Sequence, residues 1–148
     1  MDLNQIKQLR EKTGASVIEC KKALEEAGDN EQKAGKILEK KGIERAAKRS
    51  DRDAKQGLVE TYVHNNRMGV ILELNCETDF VARNKQFKEL AHDLAMQIAA
   101  LAPKDKKELL SQLFIKDESK SISDLITENI AKLGENVKIG KFYRVEIN

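Results

Sequence analysis

The sequence predicts an α+β fold, in which a bundle of three N-terminal helices precedes a small antiparallel three-stranded sheet packed with further helices. Two observations support this prediction. Apolar residues recur at helical spacing over residues 1–42, and capping residues and glycines divide that stretch into three helices. From Leu58 the apolar period changes to two, which is typical of strands, and helical spacing returns from Phe87.

The three N-terminal helices are defined by their boundaries. The first has apolar residues on one face and ends just before Thr13 and Gly14. Ser16 begins the second helix and has a glutamate three residues later, the pattern of a capping box. Asp29 is expected to cap the third helix, and Gly42 is expected to follow its last turn.

The segment between Gly42 and Gly57 has few apolar residues, and its five basic residues face three acidic ones. Acidic residues are interleaved and no aromatic residue occurs, which favours a solvated helical linker over a nucleic-acid-binding arm. We therefore predict a three-helix domain over residues 1–50, a linker over 51–56 and a sheet-containing domain over 57–148.

The sheet-containing domain begins with a predicted hairpin. Its strands are residues 58–64 and 70–76, both rich in β-branched and aliphatic residues, with residues 65–69 as the turn. An amphipathic helix follows from Phe87 to Leu101 and can cover one face of the sheet.

The rest of the chain is less uniform. Residues 104–120 are polar and contain one possible helical turn. Ser121 can cap a last helix that Gly134 ends, and residues 137–147 alternate as a third strand.

The sequence lacks the motifs of common catalytic sites, such as phosphate-binding loops, zinc-protease helices and nucleophile elbows. Two histidines, His64 and His92, and two cysteines, Cys20 and Cys76, are too scattered for a metal site, and both cysteines are expected as reduced core thiols. We expect no enzyme activity, cofactor or metal. No apolar run approaches the ~20 residues of a membrane span, and no export signal is recognised, so a cytoplasmic location is expected.

The segment of residues 75–84 is harder to explain as ordinary surface. Thr78 is a plausible helix N-cap, and Asp79 suits the positive end of a helix dipole. Phe80 and Val81 begin the same turn in a chain with only 4% aromatic residues. From the residues alone, Phe80 is either a core residue at the junction of sheet and helix or an exposed anchor for a partner.

This segment, which reads NCETDFVARN, resembles the signature of the elongation factor Ts family, the guanine-nucleotide exchange factors of bacterial translation. Other stretches resemble the family in the same order along nearly the whole chain. They are Leu9–Ala15, Cys20–Leu24, Tyr62–His64 with Arg67–Val70, and Leu133–Asn136.

The resemblance implies an N-terminal domain similar to ubiquitin-associated domains and a core domain that mediates dimerisation. It implies that the N-terminal domain and the residues matching Asp79 and Phe80 meet the nucleotide-binding domain of elongation factor Tu. There the aromatic ring inserts between two helices, disturbs the Mg²⁺ and phosphate contacts, and promotes GDP release. No direct contact with nucleic acid or membrane is expected.

The resemblance also identifies the expected contact residues. The partner-binding set is Thr78, Asp79, Phe80, Val81, Arg83 and Asn84. A second set of possible contacts is His64, Arg10, Thr13 and Gly14.

Longer family members have two similar core halves, whereas this chain has three predicted strands and open sheet edges. Short family members complete the core by self-association, so the resemblance implies a homodimer that binds two copies of elongation factor Tu. Two other functions stay open at this stage. One is an RNA-binding or ribosome-associated protein, against which the net charge of only +2 counts. The other is a peptide-binding adaptor built on the N-terminal bundle.

Overall fold

The computed structural model describes residues 2–148 and has the predicted α+β organisation. Three helices come first, a β hairpin follows, and helices and strands then alternate to the end of the chain. In order, the elements are α1 (Leu3–Thr13), α2 (Val17–Glu26), α3 (Glu31–Arg49), β1 (Gln56–His64), β2 (Met68–Cys76), α4 (Asp79–Ala82), α5 (Lys85–Leu101), α6 (Lys106–Ser111), β3 (Leu113–Phe114), β4 (Asp117–Ser121), α7 (Ile122–Leu133) and β5 (Val137–Glu146).

The N-terminal bundle packs around its own small apolar core. Asp2 and Ser16 form capping boxes at the starts of α1 and α2, and the Ser16 box confirms the prediction for α2. The core side chains come from all three helices and the α1–α2 turn: Leu9, Ala15, Cys20, Ala23, Leu24, Ala34 and Leu38.

Helix α3 differs from the prediction at both ends. Its N-cap is Asn30, whose side chain accepts a hydrogen bond from the Lys33 backbone at 3.0 Å. Asp29 cannot take that role because its backbone is left-handed (φ 63°), whereas an N-cap residue is extended. Gly42 does not end the helix, which continues through it to Arg49.

The continuation of α3 has a physical reason in its packing against α7. Gly42 is buried so closely that a Cβ atom there would lie 3.2 Å from the Ala131 Cβ. Ala46 is buried in the core of the following domain, and the Arg49 guanidinium donates a hydrogen bond to the Ile130 carbonyl at 3.2 Å. Tertiary contacts thus stabilise a helix that local composition alone does not specify.

The main sheet is antiparallel, with strand order β1-β2-β5, and confirms the three predicted strands. Gln56 pairs with Cys76 at one end of the hairpin and His64 pairs with Met68 at the other. The turn is shorter than predicted because Met68 and Gly69 already belong to β2. Alternate residues of β2 are buried, and α5 packs on that face of the sheet.

The segment of residues 104–120 contains more structure than predicted. Besides α6, it forms a two-stranded sheet from β3 and β4. Gln97, fully buried on α5, donates a hydrogen bond to the Leu113 carbonyl at 3.0 Å and accepts one from the Ile115 backbone at 3.0 Å. These hydrogen bonds attach the small hairpin to the core. They explain why Asp117–Ser121 forms a strand even though its residues have low strand propensity.

Candidate protein-interaction site

The site suggested by the sequence is a tight turn between β2 and α5. Thr78 has extended backbone angles and caps α4, its hydroxyl accepting a hydrogen bond from the Val81 backbone at 3.3 Å. Helix α4 has only four residues. Asn84 then caps α5 by accepting a hydrogen bond from the Gln86 backbone at 2.8 Å. Two caps six residues apart therefore define the shape of the turn.

Phe80 lies at the outside of this turn, with 88% of its surface exposed. By contrast, Phe87 and Phe114 are 0% and 5% exposed. The interpretation of Phe80 as a core residue is therefore wrong. Its neighbours anchor the turn instead, because Ala82 is buried and Val81 packs against the core. A large apolar side chain presented alone on a short capped turn is suited to insertion into a partner.

Asp79 and Arg83 form an ion pair one helical turn apart, beside Phe80. Both side chains are more than half exposed. The hydrogen bond from Arg83 to Asp79 raises the pKa of the Arg83 guanidinium. Two charged side chains thus lie next to the exposed aromatic ring. Asp79 and Arg83 can give up their ion pair and form contacts with a partner instead.

The loop after α7 supports the turn from behind, and sequence reasoning assigned it no role. The Glu135 carboxylate accepts hydrogen bonds from the Glu77 and Thr78 backbones, at 3.1 and 3.0 Å, and from the Thr78 hydroxyl, at 2.6 Å. The Glu77 carboxylate accepts a hydrogen bond from the Asn136 backbone at 2.8 Å. Leu133–Asn136 is one of the stretches that resemble the family, but no local pattern indicates these contacts, because the partners are 57 to 59 residues apart.

His64 is not close to the Phe80 turn. The register places Cys76, just before the turn, opposite Gln56, while His64 is at the far end of the same nine-residue strand. At ~3.4 Å per residue, the two ends of β1 are about 27 Å apart. His64 is exposed, and its Nδ1 lies 3.0 Å from the Tyr62 hydroxyl.

Arg10, Thr13 and Gly14 lie at the end of α1. Thr13 has a structural role, because its hydroxyl donates to the Leu9 carbonyl at 2.7 Å, whereas Arg10 is exposed. A Cβ atom on Gly14 would lie 2.8 Å from the Lys132 side chain. Lys132 is three residues before Glu135, so the end of α1 and the Phe80 turn both adjoin the C-terminal end of α7.

A second exposed surface lies on the face of the main sheet opposite α5. Ile71 pairs with Tyr143 across β2 and β5, and these side chains are 46% and 63% exposed. We call this surface the outer sheet patch; it consists of Val59, Val63, Ile71, Tyr143 and Val145. Neighbouring exposed apolar residues of this kind are typical of protein contact surfaces.

Within residues 2–148, no group of three or more His, Cys, Asp or Glu side chains is arranged to hold a metal ion. No helix in the same part of the chain is long and apolar enough to cross a membrane. Both cysteines are buried as free thiols.

Comparison with known proteins gives consistent matches. A family model described as Elongation factor TS matches residues 77–148. Elongation factor Ts of Thermodesulfovibrio yellowstonii is 42% identical over 186 aligned residues, covering 96% of this chain and 94% of the relative. The proteins of the same name from Thermotoga petrophila and Thermotoga maritima are each 44% identical over 191 aligned residues, covering 99% of this chain and 95% of the relative.

The aligned lengths exceed the 148 residues of this chain. These relatives therefore contain residues for which this chain has no counterpart, although the matches extend over nearly its whole length.

Proposed function

The chain belongs to the elongation factor Ts family, and from that premise we propose that it is a guanine-nucleotide exchange factor that binds elongation factor Tu and promotes GDP release during translation elongation. The observation that supports this most directly is Phe80, 88% exposed on a short capped turn that is flanked by the Asp79–Arg83 ion pair. The partner-binding set is the turn itself, from Thr78 to Asn84.

The mechanism is differential binding. An exchange factor must bind its nucleotide-free partner more tightly than the GDP-bound partner, because only a difference in affinity shifts the equilibrium. Insertion of Phe80 between two helices of the nucleotide-binding domain would displace elements that hold Mg²⁺ and the phosphates. Linkage is reciprocal, so an incoming nucleotide weakens the binding of this chain by the same factor and releases it. The chain itself carries out no covalent chemistry.

The N-terminal bundle is proposed as a second contact with the same partner. We retain residues 1–50 as a domain similar to ubiquitin-associated domains, 51–56 as the linker and 57–148 as the core domain. The bundle's proposed contact residues are Arg10, Thr13 and Gly14 at the end of α1, of which Arg10 and Gly14 are exposed. His64, about 27 Å along β1 from the turn, would meet a different part of the partner or a second copy of it.

We also propose that the chain is a homodimer that binds two copies of elongation factor Tu. The outer sheet patch supports this, because one apolar face can pair with itself across a two-fold axis. The exposed edges of β1 and β5 are further unpaired surface. We propose a cytoplasmic location and no direct nucleic-acid partner.

The test is GDP release from the cognate elongation factor Tu, followed with a fluorescent nucleotide. The wild type should accelerate release, and Phe80→Ala should reduce the acceleration by about 10- to 100-fold, as truncation of a buried interface anchor does. Leu113→Ala, which shortens an exposed apolar side chain on β3, is the matched control and should retain it.

Each alternative has its own outcome. Acceleration that survives Phe80→Ala would keep the exchange function but reject the insertion mechanism. A wild-type chain that does not accelerate release would reject the exchange function and favour an RNA-binding or adaptor function.

A further inference from the structure

The orientation of Phe80 cannot come from apolar packing of its own side chain, which is 88% exposed. Helix α4 has four residues, of which only Ala82 is buried. A helix of this length has no stability of its own in water, because nucleation costs more than so few hydrogen bonds return. The contacts that fix the turn must therefore come from other parts of the chain.

Glu135 supplies the most concentrated set of such contacts. One carboxylate oxygen accepts both the Glu77 and Thr78 backbone N–H groups, and the other accepts the Thr78 hydroxyl proton at 2.6 Å. Because the hydroxyl donates to Glu135, a lone pair of its oxygen is free to accept the Val81 N–H at 3.3 Å. The carboxylate thus orients the cap from which Phe80 projects.

The neighbouring Asn136 extends this support to the base of the N-terminal bundle. Its side chain is 2% exposed and donates hydrogen bonds to the carbonyl groups of Ser50 and Arg52, at 3.3 and 2.7 Å. Both carbonyls lie just after α3. Glu77 completes the arrangement, since its carboxylate accepts the Asn136 backbone N–H and lies 3.6 Å from the Arg52 guanidinium.

We propose that Glu135 is a positioning residue for nucleotide exchange, which holds the Phe80 turn in a fixed relation to the N-terminal bundle. The inference rests on the proposed function, in which one partner meets both surfaces. Two contacts held in register before binding lose less conformational freedom on association than two independently mobile ones. Glu135 acts through Thr78 and touches neither the partner nor the nucleotide.

The first arm of the test uses the free protein and needs no partner. Amide hydrogen exchange at Glu77 and Thr78, followed by NMR, should become at least 10-fold faster in Glu135→Ala, because both N–H groups lose their acceptor. Glu135→Gln keeps an acceptor oxygen and should restore most of the protection. Unchanged exchange rates in Glu135→Ala would overturn the inference.

The second arm measures GDP release at concentrations of each variant below saturation, where the cost of association affects the rate. Glu135→Ala should lower the acceleration at least five-fold, and Glu135→Gln should recover most of it. Thr78→Val should resemble Glu135→Ala, because it removes the hydroxyl that donates to the Glu135 carboxylate. If Glu135→Ala does not fold, Glu135→Asp, which withdraws the carboxylate from Thr78 by one methylene group, replaces it and should also lower the acceleration, with Glu135→Gln as its control.

A double-mutant cycle separates positioning from general stability. In the Phe80→Ala background, Glu135→Ala should cause little further loss, because the side chain that it positions is gone. An equal loss in both backgrounds would mean that Glu135 only stabilises the fold. Ser121→Ala, which removes the cap at the other end of α7, is the control and should be additive with Phe80→Ala.

The two hypotheses fail differently. A wild-type chain that does not accelerate GDP release overturns the proposed function. A wild type and a Phe80→Ala variant that behave as expected, combined with a fully active Glu135→Ala variant, overturn the positioning role alone.

Discussion

Gly57, near the start of β1, lies directly against the β2 backbone. It has φ 151°, and a Cβ atom there would lie 2.0 Å from the Leu74 carbonyl oxygen and 2.9 Å from the Asn75 Cα. The obstructing atoms are backbone atoms of the central strand, which cannot move without breaking the ladder. We therefore expect Gly57→Ala to lower the free energy of unfolding by more than about 3 kcal/mol, measured by urea denaturation.

Gly35 is the matched control for this substitution. It lies within α3, and no atom would come within 4 Å of its Cβ. Gly35→Ala should raise the free energy of unfolding by about 0.5–1 kcal/mol, since alanine loses less backbone entropy in a helix. Equal effects of the two substitutions would contradict the close approach of β1 and β2.

Cys76 gives a pH-dependent prediction. Burial, followed by the negative charge of Glu135, raises the pKa of its thiol from 9.0 to about 11. Below pH 9 the thiol is protonated in both states and its contribution is constant. Between pH 9 and 11 the unfolded chain loses the proton while the folded chain keeps it, so this contribution to stability falls as pH rises.

The measurement is the free energy of unfolding of the wild type and of Cys76→Ala between pH 8 and 11. The alanine variant is expected to be less stable at pH 8, because it leaves a cavity, and the difference should shrink as the pH approaches 11. The subtraction removes other groups that titrate in this range. A difference that stays constant with pH would show that the thiol titrates alike in both states.

At the scale of elements, packing rather than local pattern determines where α3 ends. Gly42 lies in close contact with α7, since its Cβ would lie 3.2 Å from the Ala131 Cβ. Gly42→Leu should force the two helices apart and lower the free energy of unfolding by about 2 kcal/mol. Gly35→Leu, on the same helix but in open space, should not lower it. Equal losses would indicate that Gly42 has no special packing role.

The same distinction explains which elements were predictable. Some elements can be predicted from their own residues: helices with capping residues, such as α2 and α7, and strands with strict alternation, such as β2. The second half of α3 is polar on most faces, and β4 contains no β-branched residue. Neither of these two elements can be predicted from its own residues. Both form because of distant partners, Ala131 for α3 and Gln97, through β3, for the small hairpin.

The candidate site was predictable to a similar degree. The Thr78 cap was inferred from residue type. Hydrophobic periodicity could not place Phe80 in the core or at the surface, because a four-residue helix is too short to show a repeating apolar face. Glu135 is 57 residues from Thr78, and no pattern within one segment can indicate a hydrogen bond of that span. Which of these residues meet a partner stays a prediction.

At the scale of the whole molecule, helices α1 to α7 cover only one of the two faces of the main sheet. One face is buried under α5, and the other exposes the outer sheet patch, in which Tyr143 and Val145 are 63% and 69% exposed. In the described part of the chain, the main sheet therefore has no second layer over the outer sheet patch, unlike a β-sandwich. We expect a second copy of the same face to supply this layer across a two-fold axis.

This arrangement gives a prediction for the size of the particle in solution. By sedimentation, the wild type should have about twice the 16.7 kDa mass of one chain. Tyr143→Asp should weaken the dimer by about 100-fold or more, because a carboxylate would be buried against the apolar side chains of the patch. The monomer should stay folded, since Tyr143 is mostly exposed within one chain.

Ser123→Asp is the control for this substitution. It adds the same charge in the first turn of α7, away from the patch, and should leave the dimer intact. A wild type that sediments as a single chain, or a Tyr143→Asp variant that remains dimeric, would exclude the outer sheet patch as the dimer interface.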